Sequence, residues 1–186
     1  MPAPKLRFHP LTAARWDDLE ALFGPRGASG GCWCMWFRIP RSEFREQKGE
    51  GNRRAFRRIV ASGRVPGILA YEGSAPVGWC AVEPREAYPA IAKRSPEADR
   101  PVWSVTCFYV ARSHRRKGVT TALLRTAKAH VKKRGGKLLE GYPVLPRSAP
   151  STAFAYPGYL SAFEQAGFRE CARHSPTRPI VRLVLK

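Results

Sequence analysis

Between Arg112 and Thr121 the chain carries residue types suited to holding an anion: Arg112, Arg115, Arg116 and Lys117, then Gly118, Val119, Thr120 and Thr121. Before them, Val102 to Val110 is a run of Val, Trp, Thr, Phe and Tyr with the composition of a buried strand. After them, Val119, Ala122, Leu123, Thr126, Ala127 and Val131 fall at helical spacing, which predicts a helix from Gly118 to about Arg134 with that stripe buried. The N-terminus of a helix presents unpaired amide N–H groups and a partial positive charge, and a glycine there lets a pyrophosphate approach the backbone. From spacing alone, a basic loop that merely begins a helix fits equally well, because short glycine motifs recur by chance.

The remaining elements must position that turn. Lys5 to His9 reads as an opening strand, and Thr12 as the cap of a helix from Ala13 to about Phe23, with Trp16, Leu19, Leu22 and Phe23 on one face. Gly24 and Pro25 end it. Gly30 to Arg38 is too aromatic for a solvated linker and too rich in glycine at its start for a regular helix. A basic helix is expected within Ser42 to Ala61, weakly supported near Gly49 and Gly51. Two strands, Gly67 to Tyr71 and Val77 to Val82, form a hairpin across Glu72 to Pro76, and Pro84 to Arg100 reads as irregular. Past Gly135 and Gly136, a strand from Lys137 to Tyr142 completes a right-handed strand-helix-strand unit with parallel strands. A short helix from Tyr159 to Gln165 and antiparallel strands Phe168 to Arg173 and Pro179 to Leu185 close the chain.

The 186 residues, 44% of them hydrophobic, suit a single domain over 1–186 with one continuous core. No apolar run is long enough for a membrane span, and the first twelve residues lack a signal-peptide core, so the expected location is the cytoplasm, with no membrane partner. Cysteines 32, 34, 80, 107 and 171 fit neither a disulfide framework nor a paired zinc site; with four scattered histidines, the expectation is reduced thiols and no metal. Thirty-three Lys and Arg against 14 Asp and Glu give +19, which would attract nucleic acid or another polyanion. The excess is mostly Arg, dispersed, in a chain also rich in Ala, Gly and Pro, so genomic base composition accounts for much of it.

The order Phe108-Tyr109-Val110, then Arg115-x-x-Gly118-x-Thr120, then an amphipathic helix resembles the acyl-CoA motif of the Gcn5-related N-acetyltransferase superfamily, whose pattern is Arg or Gln, two residues, Gly, one residue, Gly or Ala. Thr120 replaces the small last residue. Ala166-Gly167-Phe168 resembles the family's turn into its last strands, and the order of elements matches end to end. The resemblance implies an α/β (α+β) fold: a mixed central sheet of six to seven strands flanked by about four helices, with a parallel strand-helix-strand unit that binds acetyl-CoA.

By the same resemblance, Phe108, Tyr109 and Val110 leave regular pairing so that pantetheine lies alongside them. The Phe108 N–H polarises the thioester carbonyl, and Arg112, Arg115, Arg116, Lys117, Gly118, Val119, Thr120 and Thr121 hold the phosphates. An acceptor amine with a pKa of about 10.4 is neutral in roughly one molecule per thousand at pH 7, so its proton must be removed. The family's usual strand carboxylate maps to Ser104, which cannot do this. Glu140 and Glu83 are the candidates in its place, with Glu140 preferred, although either also reads as an ion-paired side chain. The tyrosine that often protonates the departing thiolate maps to Phe163; Tyr159, four residues earlier, is the substitute, with Tyr156 behind it. Cys32, Trp33 and Trp36, with Glu83, Tyr142 and Tyr156, are expected around the acceptor; their aromatic walls suit a hydrophobic or cationic molecule, or simply fill core beneath a loop.

The function expected from the resemblance is transfer of acetyl from acetyl-CoA, as cosubstrate, to the primary amine of a small molecule, directly within a ternary complex, by a monomer or homodimer. Two alternatives remain. One is a toxin-like enzyme acetylating aminoacyl-tRNA, which the charge favours and its dispersion does not. The other is a non-catalytic acyl-CoA-binding regulator, which Ser104 and Phe163 would permit.

Overall fold

The computed structural model describes residues 5–145 and 156–186. Strand β1 (Leu6–Pro10) is followed by a 3-10 turn (Ala13–Arg15), α1 (Trp16–Phe23), α2 (Arg41–Glu46) and α3 (Glu50–Ala61). Strands β2 (Gly67–Glu72) and β3 (Ala75–Pro84) come next, then a 3-10 turn (Arg85–Ala87), α4 (Pro89–Ala92) and β4 (Val102–Val110). A 3-10 turn (Arg112–His114), α5 (Val119–Lys133), β5 (Leu138–Gly141), α6 (Leu160–Gln165), β6 (Arg169–Ser175) and β7 (Arg178–Val184) complete the chain.

All seven strands join one sheet in the order β1-β2-β3-β4-β5-β7-β6, with only β4 and β5 parallel. Alternation of side chains along the strands divides the core into two layers. Cys80, Val82, Val105 and Phe108 face α5 and α6, where Val119, Leu123, Leu124, Ala127, Val131 and Phe163 complete a layer. Trp79, Ala81, Cys107 and Tyr109 face the opposite side, packed with Trp16, Leu19, Phe23, Trp33, Cys34 and Phe56 from the first helices and the loop after them.

Two details of the sheet set up the site. Gly78 on β3 lets α5 lie close, since a β-carbon there would stand 3.0 Å from Val119 Cγ1 and 3.3 Å from Leu123 Cδ1. On β4 the register against β3 shifts: Ala81 pairs with Cys107 but Val82 pairs with Val105, leaving Thr106 as an extra residue. Such a bulge bends the strand that carries it. β4 pairs with β5 only from Val102 to Val105, against Leu138 to Gly141, so its last residues continue alone on that side.

The expected mixed sheet is present, and the differences are local. The single basic helix is two, α2 and α3, because Gly49 has φ +82° and turns the chain between them. The hairpin closes as tightly as Glu72 against Ala75, around Gly73 and Ser74. The stretch expected to be irregular contains α4, whose Ile91 is buried. On α5 the buried stripe takes Leu124 in place of Ala122 and Thr126, so the helix is rotated toward its second leucine. Among the described residues no helix is long and apolar enough to cross a membrane.

His130 on α5 gives the fold a pH dependence. Its ring meets Trp103 edge to face with centroids 6.4 Å apart, and Nε2 is buried without a hydrogen-bond partner among the described residues. Burial first, then Arg134 and Lys133, lowers its pKa from 6.5 to about 4. The unfolded chain therefore binds the proton more readily, and stability that is complete above pH 6.5 is lost as the pH falls towards 4. Denaturation midpoints measured across that range should fall with acidity, and the dependence should be shallower in His130→Phe.

Candidate active site

The turn into α5 is built as an open cradle. Arg116 and Gly118 both have left-handed backbones, φ +61° and +76°, and no side chain caps the first turn of the helix. Arg112, Arg115, Arg116 and Lys117 are exposed, and a β-carbon on Gly118 would find nothing within 4 Å. Uncapped helical amides, open space beside them and four cations fit a pyrophosphate. Two of the expected side chains have internal partners: Arg115 Nε donates to the Val110 carbonyl at 3.0 Å, and Thr121 Oγ1 donates to Gln165 Oε1 at 3.3 Å, tying α5 to α6. Thr120 is half-buried and Val119 is buried against the sheet, so their contribution to an anion is through the backbone. Gly118→Val should lower stability by about 1–2 kcal/mol, the cost of a left-handed conformation in a residue with a β-carbon, measured by urea denaturation.

The other end of the groove differs from expectation. The Phe108 N–H is not open to a ligand; it donates to the Tyr156 carbonyl at 2.6 Å. Residues 156–160 run into the gap that β4 leaves beyond Val105: Val144 N–H donates to the Gly158 carbonyl at 2.9 Å, Leu160 N–H donates to the Val144 carbonyl at 3.2 Å, and Tyr159 bridges to Val144. Gly158, with φ +83°, allows this path, since a β-carbon there would press on the rings of Phe108 and Phe163 at 3.1 Å. A buried amide on a strand that has left its neighbour requires an acceptor, and the chain supplies one. The cradle for the phosphates thus fits as it stands, and the acyl end fits once the Tyr156 carbonyl moves aside.

Tyr159 also departs from its expected placement. It is the extended residue before α6, φ −90° and ψ 146°, so it does not share a helical face with Phe163. It is half-buried, and its hydroxyl has no hydrogen-bond partner among the described residues. Phe163 is fully buried, edge to face with Phe108 and Phe168 and seated over Gly141, whose β-carbon would stand 2.1 Å from its ring. It is core.

The two candidate carboxylates flank Ser104 in one row across the sheet. Glu83 pairs in register with Ser104, Ser104 with Glu140, and Glu140 with Arg182. Directly paired residues point to the same side, so this polar row lies on the face that also holds Cys107 and Tyr109. Glu140 is fully buried: Arg182 Nε donates to Oε2 at 2.7 Å, while the Tyr142 hydroxyl, at 2.6 Å, and the Ser95 hydroxyl donate to Oε1. Tyr142 also meets Ser104 Oγ at 2.7 Å, and burial, then Glu140, keeps its phenol protonated. Arg182 holds the 96–97 segment over the carboxylate through the Pro96 and Glu97 carbonyls. Glu140 therefore cannot meet an amine directly, as a free base would. Tyr142, half-buried, is the group through which a proton can reach it.

Glu83 is 4% exposed and held by two arginines, Arg38 at 2.6 Å and Arg64 at 2.8 Å. It also borders a cavity of about 490 Å³ with Arg64, Trp103 and Arg134, at the opposite end of β4 from Phe108 and thus away from the acyl groove. Of the expected acceptor walls, Trp33 is buried between Trp16 and Phe23, with centroids 6.1 and 5.6 Å away, and cannot face a ligand. Trp36 carries the Arg41 guanidinium 3.1 Å from its ring centroid, so the chain already supplies the cation. Cys32 and Tyr156 are half-buried, the latter against Phe37 at 6.1 Å.

Residues absent from the sequence reading hold much of this together: Arg38, Ser95 and Arg182. Arg182 had a readable signal, a cation within Ile180-Val181-Arg182-Leu183-Val184, and Arg38 another, an arginine closing an aromatic run. Such residues stay buried only when paired.

Comparison with known proteins was made on this geometry. A model of the acetyltransferase (GNAT) family matches residues 33–155. A search of curated proteins gives no match. Among solved structures, PaiA N-acetyltransferase from Thermoplasma acidophilum in complex with coenzyme A is 13% identical, with 97% of this chain and 99% of that one aligned and a TM-score of 0.55. An N-acetyltransferase from Staphylococcus aureus Mu50 is 11% identical over 98% and 99%, TM-score 0.56. The ribosomal-protein-S18-alanine N-acetyltransferase from Escherichia coli is 15% identical over 97% and 94%, TM-score 0.51. At these identities the likeness is one of fold.

Proposed function

Since the chain belongs to the acetyltransferase (GNAT) family, we propose that it transfers an acetyl group from acetyl-CoA to the primary amine of a small molecule, directly within a ternary complex. The observation that carries this reading is the uncapped, glycine-opened N-terminus of α5 beside the end of β4. The amides of that turn, with Arg112, Arg116 and Lys117, hold the pyrophosphate. Arg115 completes the loop by returning to Val110.

Phe108 N–H aims at the thioester oxygen, where negative charge develops, after its bond to the Tyr156 carbonyl is released. The amine's proton passes to the Tyr142 hydroxyl while the Tyr142 proton passes to Glu140, with Ser104 holding the phenol in line. Tyr159, whose hydroxyl is free of internal partners, returns a proton to the departing thiolate. The polar row runs on the α1–α3 side of the sheet, so the amine enters from that side, past Cys32 and Tyr156.

Titration calorimetry with acetyl-CoA and then with desulfo-CoA tests the first step. Binding should be measurable with both and weakened about tenfold in Gly118→Val, a loss of about 1.4 kcal/mol. With acetyl-CoA the Phe108 amide resonance should shift as its acceptor changes. No heat of binding with either ligand overturns the reading; binding with an unmoved Phe108 amide removes Phe108 from the mechanism and leaves the cradle in place.

A further inference from the structure

Cys34 lies on the acceptor side of the sheet with several donors and a cation directed at one sulfur. The Trp79 indole N–H donates to Cys34 Sγ at 3.0 Å, and the Cys107 thiol is hydrogen-bonded to it from β4. Arg38 anchors the same turn, its Nε donating to the Cys34 carbonyl at 3.2 Å, and its charge acts on the sulfur. A neutral thiol is a weak acceptor, so donors of this kind around one sulfur suit a thiolate. The Cys107 hydrogen bond first, then Arg38 and Trp79, hold the Cys34 thiol below its ordinary value against the opposing effect of burial, while Cys107 is pushed up. Trp33 and Cys34 both have left-handed backbones, φ +45° and +58°, costly for residues with a β-carbon and thus imposed by the surroundings. Cys34 is 9% exposed and Cys107 half-buried, so a molecule as small as a hydroperoxide has a path to them.

We infer that Cys34 and Cys107 are a redox pair, a nucleophilic thiolate and its resolving thiol, which a hydroperoxide converts into a disulfide between the acceptor-side loop and β4. The Cys34 thiolate attacks one peroxide oxygen; the O–O bond breaks, leaving Cys34 sulfenic acid, and the other oxygen leaves with a proton, as water when the oxidant is hydrogen peroxide. The Cys107 sulfur then attacks Cys34 Sγ, the S–O bond breaks, and a water leaves with the Cys107 proton. In sum, two thiols lose two electrons and hydrogen peroxide becomes two waters. A dithiol reverses it by exchange.

The consequence for activity rests on the function proposed above: Cys107 immediately precedes Phe108, so the bond pins the loop beside the groove and excludes the amine. Hydrogen peroxide treatment of the purified protein, followed by alkylation under denaturing conditions, peptide mapping without reduction and intact mass, provides the test. The expected results are a Cys34–Cys107 cross-linked peptide, loss of two hydrogens from the intact mass, and recovery of both thiols with dithiothreitol. Cys107→Ser should leave Cys34 to advance to the sulfinic acid, while Cys32→Ser and Cys171→Ser should cross-link like the parent. A Cys32–Cys34 link, or Cys34 unreacted while Cys171 oxidises, overturns the inference. So does acetylation of Cys34 by acetyl-CoA alone, which would make this thiol an acyl carrier instead. The cross-link is read from mass, so its formation without any acetyl transfer would refute the proposed function and leave the pair standing.

Discussion

Arg38→Met lowers the stability of the fold by about 3–5 kcal/mol, the cost of leaving a buried charge without its partner. Three groups lose their donor together: Glu83 Oε2 at 2.6 Å, the Tyr88 hydroxyl at 3.1 Å and the Cys34 carbonyl at 3.2 Å. The guanidinium also lies 4.5 Å from the Tyr88 ring centroid and 5.5 Å from that of Phe56. Burial alone would favour losing the proton, but Tyr88 and Glu83 outweigh it and hold Arg38 charged. Methionine fills much of the volume and none of these roles. Arg64 remains on Glu83, but its side chain is 46% exposed and its attraction is weakened by water. Guanidinium denaturation should show the loss as a lower midpoint at unchanged slope, and Arg38→Met combined with Glu83→Gln should recover part of it, since no buried carboxylate is then left unpaired. A loss below about 1 kcal/mol would place this pair among ordinary surface bridges.

Glu140→Gln lowers kcat for acetyl transfer by about 10²- to 10⁴-fold, the usual contribution of acid–base catalysis, while the KM for acetyl-CoA stays near its parent value. Gln keeps the shape and can accept from Tyr142, but it is a poor proton acceptor. Tyr142→Phe should reproduce the defect, because Glu140 is fully buried and the phenol is the link between it and the amine. Ser104→Ala should cost less, since that hydroxyl holds the phenol without carrying the proton onward. Thermal unfolding of each variant separates loss of chemistry from loss of the Arg182 pair. Full activity in Tyr142→Phe would remove the relay, and a rise in KM at constant kcat would make Glu140 a binding group.

The sequence revealed the order of strands and helices and the anion cradle because both depend on local chemistry. Alternating Val, Trp and Phe mark β4, and a glycine before an apolar stripe marks the start of α5. It did not reveal where β4 bends, since Thr106 resembles any strand residue and is made a bulge only by its register against β3. It named both glutamates but not their common row, because register between distant strands is a tertiary property. Tyr159 was misplaced for a local reason: Pro157 and Gly158 keep it extended, so helical spacing did not apply. Trp33 and Trp36 were suited to a pocket by type, and packing gave one to the core and the other to Arg41. The occupied Phe108 amide had no signal at all, because its acceptor is a backbone carbonyl 48 positions away, at Tyr156.

The row from Glu83 through Ser104 and Glu140 to Arg182 constrains how the protein can diverge. Each member is balanced by another on a neighbouring strand or on a segment packed over it. A lone change of sign or size at any of the four therefore exposes a buried imbalance that no surface adjustment can correct. Descendants of this sequence can keep the row or exchange it in concert, for instance by moving a carboxylate to position 104 as Glu140 and Arg182 become apolar together. The path between those states runs through intermediates less stable than either end, so the sheet carries a historical commitment to one arrangement of its charges.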